Sequence, residues 1–208
     1  MNQIEIAYAL TTVDRVQTRI GLGTAVGTPV LAAIIAAVTD RIEGECGGRR
    51  FLRTTYTNEI ITIFNQNQKY LNVKNTPIES VSSLQYRTGL KSAPNYTDFN
   101  NDDWEIVNDG KEGMIRVYGL FADINAVRIS YVAGYKIDFT NTGSPTAHTL
   151  PADITDLAER LTVKIWKRRE REGNSTESFE GNTVTLDKLL NDDDKEILSR
   201  YKRLPQFI

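Results

Sequence analysis

The apolar residues of this chain keep a helical period at both ends and lose it in the middle. That double switch asks for an α+β protein whose strands form one internal block. At the start, Thr11-Thr12-Val13-Asp14 offers hydroxyl caps with a carboxylate in the first turn. Val13, Val16 and Ile20 then recur at helical spacing, and Gly21, Gly23 and Gly27 end the run. Thr28-Pro29 opens a second helix, with Thr as N-cap and Pro at the first helical position. Its apolar residues Val30, Leu31, Ile34, Ile35, Val38 and Ile42 form a broad stripe suited to a core or another subunit, and Gly47-Gly48 stops it. The two read as a helical hairpin.

From about Phe51 to about Tyr135 β-branched and aromatic residues take over. The runs are Thr54–Thr57, Ile60–Phe64, Tyr70–Val73, Val81–Tyr86, Trp104–Val107, Met114–Tyr118 and Ala126–Tyr131. Asn65-Gln66-Asn67, Asn75-Thr76-Pro77, Asn108-Asp109-Gly110 and Ala133-Gly134 separate them as turns. Asn108-Asp109-Gly110-Lys111 is a hairpin signal. In Val127-Arg128-Ile129-Ser130-Tyr131 the alternation predicts one solvated face of an antiparallel sheet.

A polar loop, Asp138 to Thr149, leads to Pro151. Ile154, Leu157, Ala158, Leu161 and Ile165 then mark one face of a helix that ends before Gly173. The stretch from Asn174 to Gly181 is polar, and is expected to be mobile or to order against a partner. Asn191-Asp192-Asp193-Asp194 caps a last helix with Ile197, Leu198 and Tyr201 inward. The expectation is a helical bundle body of two N-terminal and two C-terminal helices with an inserted antiparallel β-module. Its parts are 1–50, 51–137, and 138–208 packing on 1–50. That gives a helical body of roughly 120 residues and an insertion of roughly 85, rather than two independent domains.

Composition narrows the chemistry. Lys plus Arg is 25 and Asp plus Glu is 27, a net charge of -2 in 208 residues. A dedicated nucleic-acid binder carries a basic surplus. One cysteine makes no intramolecular disulfide and no Cys-rich zinc module. One histidine removes most His-based metal sites. The longest apolar stretch, Val30 to Val38, falls far short of the roughly 20 residues of a membrane span. Met1-Asn2-Gln3-Ile4-Glu5 lacks the basic start of a signal peptide, so a soluble protein is expected, made and used in a cytoplasm or assembled there into something larger.

The candidate motifs are weak as chemistry. His148 has Ser144 and Asp153 nearby in sequence, but there is no nucleophile elbow, and a loop histidine fits better. Cys46 reads as a small, partly buried residue. Gly21-Leu22-Gly23-Thr24-Ala25-Val26-Gly27 has one residue too many for a dinucleotide fingerprint and follows a helix, not a strand. Asp102-Asp103 and Asp192-Asp193-Asp194 lack the calcium-loop pattern. Lys164, Lys167, Arg168, Arg169 and Arg171 are the strongest electrostatic feature. They read either as a helix terminus balanced by Glu159, Glu170 and Glu172, or as a contact for phosphates or an acidic partner. Phe207-Ile208 after Pro205 is an apolar ending that suits docking on another subunit or partner.

Read in order, these segments resemble a known family over nearly the full length. They are Tyr8-Ala9-Leu10-Thr11-Thr12-Val13-Asp14-Arg15-Val16, Glu43-Gly44-Glu45-Cys46-Gly47-Gly48-Arg49-Arg50-Phe51-Leu52-Arg53 and Val81-Ser82-Ser83-Leu84-Gln85-Tyr86-Arg87. Tyr131-Val132-Ala133-Gly134-Tyr135, His148-Thr149-Leu150-Pro151-Ala152-Asp153 and Glu177-Ser178-Phe179 follow. The order is similar to that of the tailed-phage head–tail connector proteins, also called adaptor or head-completion proteins. The resemblance implies a structural virion protein with no enzyme activity and no cofactor. It implies a ring, commonly dodecameric, below the portal protein, extending the channel for genomic DNA and meeting a stopper or tail protein.

On that reading Leu204, Pro205, Phe207 and Ile208 are candidates for docking on the portal. Lys164, Lys167, Arg168, Arg169 and Arg171, with Asp192, Asp193 and Asp194, are candidates for a subunit interface or the DNA channel. The alternative is a DNA-binding module that uses the basic helix end at 164–171.

Overall fold

The computed structural model describes residues 8–21, 23, 27–65, 67–88, 92–118, 126–144, 146–169, 176–179, 182–185 and 189–202. They fall into two compact units: one from Met1–Gly48 with Ile137–Lys202, and one from Arg49–Lys136. The fold class is the α+β arrangement read from the sequence, two N-terminal and two C-terminal helices with an inserted antiparallel sheet region.

In the helical unit, α1 (Val13–Ile20) starts at Thr12, whose hydroxyl accepts the Arg15 N–H at 3.4 Å. It stops at Gly21 in the left-handed region, whose N–H donates to Gln17 O and Thr18 O. Thr12→Ala is expected to cost about 1 kcal/mol of this unit's stability, measured by thermal unfolding; an unchanged midpoint would show the cap to be idle.

The helix α2 (Thr28–Glu45) departs from expectation at its start. Thr28 is the first helical residue, and the N-cap is Gly27 at φ 69° with no side-chain cap. The reason is packing: a Cβ on Gly27 would sit 2.4 Å from the Trp166 ring. The buried stripe of α2 is Leu31, Ile35, Val38 and Ile42, narrower than read, and Val30 faces outward.

The helix α3 (Ala152–Arg169) buries Ile154, Leu157, Ala158 and Leu161 as expected, and Trp166 rather than Ile165 continues the face. Val16, Leu31, Ile35 and Trp166 form the core where α1, α2 and α3 meet. The last helix, α4 (Asp192–Ser199), begins with a capping box: Asn191 accepts the Asp194 N–H at 2.7 Å, and Asp194 accepts the Asn191 N–H at 3.1 Å.

The second unit holds β1 (Thr54–Thr62), β2 (Tyr70–Asn72), β3 (Ile78–Thr88), β4 (Asn95–Asp98), β5 (Trp104–Ile106), β6 (Met114–Val117) and β7 (Ala126–Ala133). One sheet runs β1-β7-β3-β4, the other β2-β6-β5, and the pairs are antiparallel. Leu71, Leu84, Ile115, Val127, Ile129 and Tyr131 lie in their shared core. The two runs read at Thr54–Thr57 and Ile60–Phe64 are one strand, β1, carried through a bulge between Tyr56 and Glu59 with Asn58 at φ 55°. Ile63 and Phe64 lie beyond its end. The Asn108-Asp109-Gly110 turn joins β5 to β6 with all three residues at positive φ, as the hairpin signal required. Two further strands, β8 (Thr176–Phe179) and β9 (Asn182–Thr185), pair as a hairpin where the sequence showed only a polar stretch.

The way into and out of the second unit is zipped. Leu52 bridges Tyr135 in parallel, Arg53 N–H donates to Tyr135 O at 2.9 Å, and Tyr135 N–H donates to Phe51 O at 2.7 Å. Gly134, at φ 107°, lets the chains close: a Cβ there would lie 2.5 Å from Leu52 O. Arg49 covers this stem, donating to Thr76 O at 2.7 Å and stacking on the Phe51 and Tyr135 rings.

Candidate functional site

The charges of the helical unit are arranged as a ladder across α1, α3 and α4. Arg15 and Arg19 stand one turn apart on α1, and Asp156 and Glu159 three residues apart on α3, so each pair shares a helix face. Arg15 Nε donates to Glu159 Oε1 at 2.7 Å. Arg19 Nη1 reaches Asp156 at 2.7 Å and Glu159 at 3.0 Å. Arg160 continues it, with Asp156 at 2.8 Å and Asp194 Oδ1 at 2.6 Å. Lys164 Nζ lies 3.7 Å from Asp194 Oδ2 and donates to Leu189 O at 3.4 Å. The hydrogen bond to Asp156 holds Arg19 above its ordinary pKa. Burial pushes Asp156 up, but hydrogen bonds from Arg19 and Arg160 outweigh it and hold the carboxyl below its ordinary value. Sequence reading did not find this ladder, although Asp156 and Arg160 at i,i+4 were its visible sign.

The sequence-selected charges separate on this frame. Asp194 is fully buried and committed to the cap and to Arg160 within the chain. Asp192 is exposed and pairs with Lys195 at 3.0 Å, and Asp193 is exposed. Lys164 is occupied by Asp194 and Leu189. Lys167 and Arg169 are exposed, Arg168 is half-buried, and Arg169 lies 4.7 Å over the Trp166 ring. None of these last three makes an ion pair among the described residues. Arg171, Leu204, Pro205, Phe207 and Ile208 lie outside the described residues.

The weaker motifs are structural. His148 Nδ1 accepts the Asp138 N–H at 3.1 Å, and its ring tilts against Phe139. Asp138 is itself held down to about 2 by hydrogen bonds from Asn141 and Thr140. Cys46 is fully buried, with its thiol 3.8 Å from Leu198 O. Among the described residues no three His, Cys, Asp or Glu side chains gather as a metal site. Nor is any helix long and apolar enough to cross a membrane. A cleft of about 400 Å³ in the second unit is lined by Ile61, Phe64, Tyr70 and Met114 with Lys69 and several amides, and among the described residues no carboxylate, histidine or cysteine lines it. Phe64 and Tyr70 are exposed, Phe64 just beyond β1 and Tyr70 at the start of β2.

A family model described as head completion protein matches residues 9–204. No curated protein sequence gives a significant match. Among solved structures the chain is similar to one from the neck of an empty gene transfer agent particle computed with C6 symmetry. The TM-score is 0.56 at 15% identity, covering 99% of this chain and 94% of that one. A chain from the neck of a native particle computed with C12 symmetry gives 0.52 at 16%, covering 91% and 87%. A chain from the virion of a native gene transfer agent particle gives 0.55 at 15%, covering 99% and 94%. At these identities the likeness is one of fold.

Proposed function

Because the chain belongs to the head completion protein family, we propose that it is a structural component of the neck of a phage-like particle, where the filled head meets what lies below it. The family match over residues 9–204 carries this reading. The fold shared with neck chains of particles computed with C6 and C12 symmetry supports it. In the finer form, copies of the chain form a ring, dodecameric on the pattern the resemblance implies. The ring sits below the portal protein, receives a stopper or tail protein on its far side, and extends the channel through which genomic DNA passes without sequence-specific contact. The apolar segment Leu204, Pro205, Phe207 and Ile208 supplies portal docking. A closed ring of one kind of subunit joined head to tail needs two unlike surfaces on each copy. The near-neutral chain, with its charges sorted into local patches, suits that need.

The test is to mix the purified protein with portal-bearing heads and image them by negative stain over a range of salt. The expected result is an added ring of density below the portal. Heads that remain bare at every salt concentration, with the protein folded, overturn the proposal. Truncation after Arg203 is expected to weaken attachment while the fold persists; attachment equal to that of the full chain removes the C-terminal segment from the docking role.

A further inference from the structure

The basic end of α3 has no ion-pair partner among the described residues. Lys167, Arg168 and Arg169 form no ion pair there, and they follow one another at the helix C-terminus. The acidic start of α4, which the sequence offers as their counterpart, is largely taken. Asp194 is buried against Arg160, and Asp192 holds Lys195. Glu170 and Glu172, next in the sequence, lie outside the described residues.

The second unit carries a group of exposed carboxylates. Asp102 and Asp103 precede β5, Glu105 lies on β5, and Asp109 and Glu112 occupy the turn into β6. From 102 to 116 the chain has five carboxylates against two cations, Lys111 and Arg116. Arg116 lies 3.5 Å from Glu105, and no ion pair reaches Asp102, Asp109 or Glu112 among the described residues. Asp102, Glu105, Asp109 and Glu112 are exposed. The strand they flank is an edge of its sheet, in the order β2-β6-β5. Charged edges repel the addition of another strand, so this edge suits a cationic surface rather than a β-strand.

One chain thus carries, among the described residues, a basic patch on its helical unit with no ion pair and an acidic patch on its strand unit with one, Arg116 to Glu105. Complementary patches on one chain are what a head-to-tail contact requires. Duplex DNA would satisfy the basic patch alone and leave the acidic edge without a role. Resting on the ring reading above, we infer that Lys167, Arg168 and Arg169 of one copy dock against the acidic β5 edge, Asp102 to Glu112, of the next copy. The contact sets the direction in which copies follow one another, because like patches repel.

A charge exchange between two full-length variants tests this. One variant carries Lys167→Glu, Arg168→Glu and Arg169→Glu; the other carries Asp102→Lys, Glu105→Lys and Glu112→Lys. Each is checked by circular dichroism and thermal unfolding, then added to portal-bearing heads and scored for rings beside the wild type. Each variant alone is expected to lose ring assembly by at least about tenfold, and their mixture to recover to within about threefold of wild type. Recovery also shows that both variants fold. Rings formed by either variant alone at the wild-type level overturn the inference, as does a mixture of two folded variants that stays bare. So does a basic-end variant that keeps its ring and instead loses binding to duplex DNA at low salt. If the wild-type chain forms no ring on the heads, the ring reading itself fails and this contact falls with it.

Discussion

Asp194→Ala is expected to remove about 3–5 kcal/mol from the stability of the helical unit, the usual cost of breaking a buried ion pair from one side. The carboxylate is fully buried and does two things. It closes the capping box with Asn191, and it faces Arg160 at 2.6 Å with Lys164 at 3.7 Å. Alanine removes both, and it leaves Arg160 half-covered with only Asp156 beside it. Asp194→Asn retains an acceptor for the Asn191 N–H and loses the charge, so its loss should be smaller. The chain has two tryptophans, and the units hold one each: Trp166 in the helical unit and Trp104 in the strand unit. Urea unfolding followed by Trp166 fluorescence in a Trp104→Phe background reads the helical unit separately. A loss below about 1 kcal/mol for the alanine variant would reduce the pair to a surface contact.

The same ladder sets a direction for pH. The folded-state pKa of Asp156 is lowered, so its contribution is complete at neutral pH. It is lost as acid carries the pH from the unfolded carboxylate value down through the folded one. Asp156 is half exposed, so its share of the acid sensitivity is small.

Tyr131→Ala is the second large loss, about 3–5 kcal/mol from the strand unit. Tyr131 sits on the central strand β7 with no exposed surface, stacked on Tyr56 at 5.1 Å between centroids. Its hydroxyl donates to Glu59 Oε2 at 2.7 Å and accepts the Asn75 N–H at 3.3 Å, and Glu59 Oε1 accepts the Lys74 N–H at 3.1 Å. One ring thereby ties β7 to the β1 bulge and to the turn before β3. Burial, reinforced by the bond to Glu59, pushes the phenol well above its ordinary pKa, so it remains a donor at every ordinary pH. Tyr131→Phe keeps the ring and leaves Glu59 short of one donor, for an expected loss of about 1–2 kcal/mol. Trp104 fluorescence in a Trp166→Phe background measures both. If the phenylalanine variant is as unstable as the alanine one, the hydroxyl network outweighs the packing.

These sites also show where sequence reading succeeds. The two long helices α2 and α3 announced themselves because each buries one stripe, and Asn191 with Asp194 marked the cap of the short α4. Helix α2 began one residue early for a reason no local pattern holds: Gly27 yields to the ring of Trp166, far along the chain. Strand β4 is Asn-Tyr-Thr-Asp, with no apolar alternation. It exists because the long strand β3 offers a partner from Gln85 to Thr88. The β1 bulge hid a continuous strand by putting Asn58 and Glu59 out of phase. Among the charged residues, the basic run was visible at once. The burial of Asp194 was not, because it depends on Arg160 of α3, 34 residues away.

The zipped stem at Leu52 and Tyr135 has a consequence for chain topology. An inserted block normally lengthens the loop that its host must close, and the entropy of closure grows with the logarithm of that length. Here the insertion fastens its own two ends side by side, through backbone bonds and the Phe51–Tyr135 stack under Arg49. Once that stem forms, the host experiences a short tether, whatever the number of residues beyond it. The strand unit is thus a cassette in the polymer sense, free to grow, shrink or be exchanged without altering the closure problem of the helices that frame it.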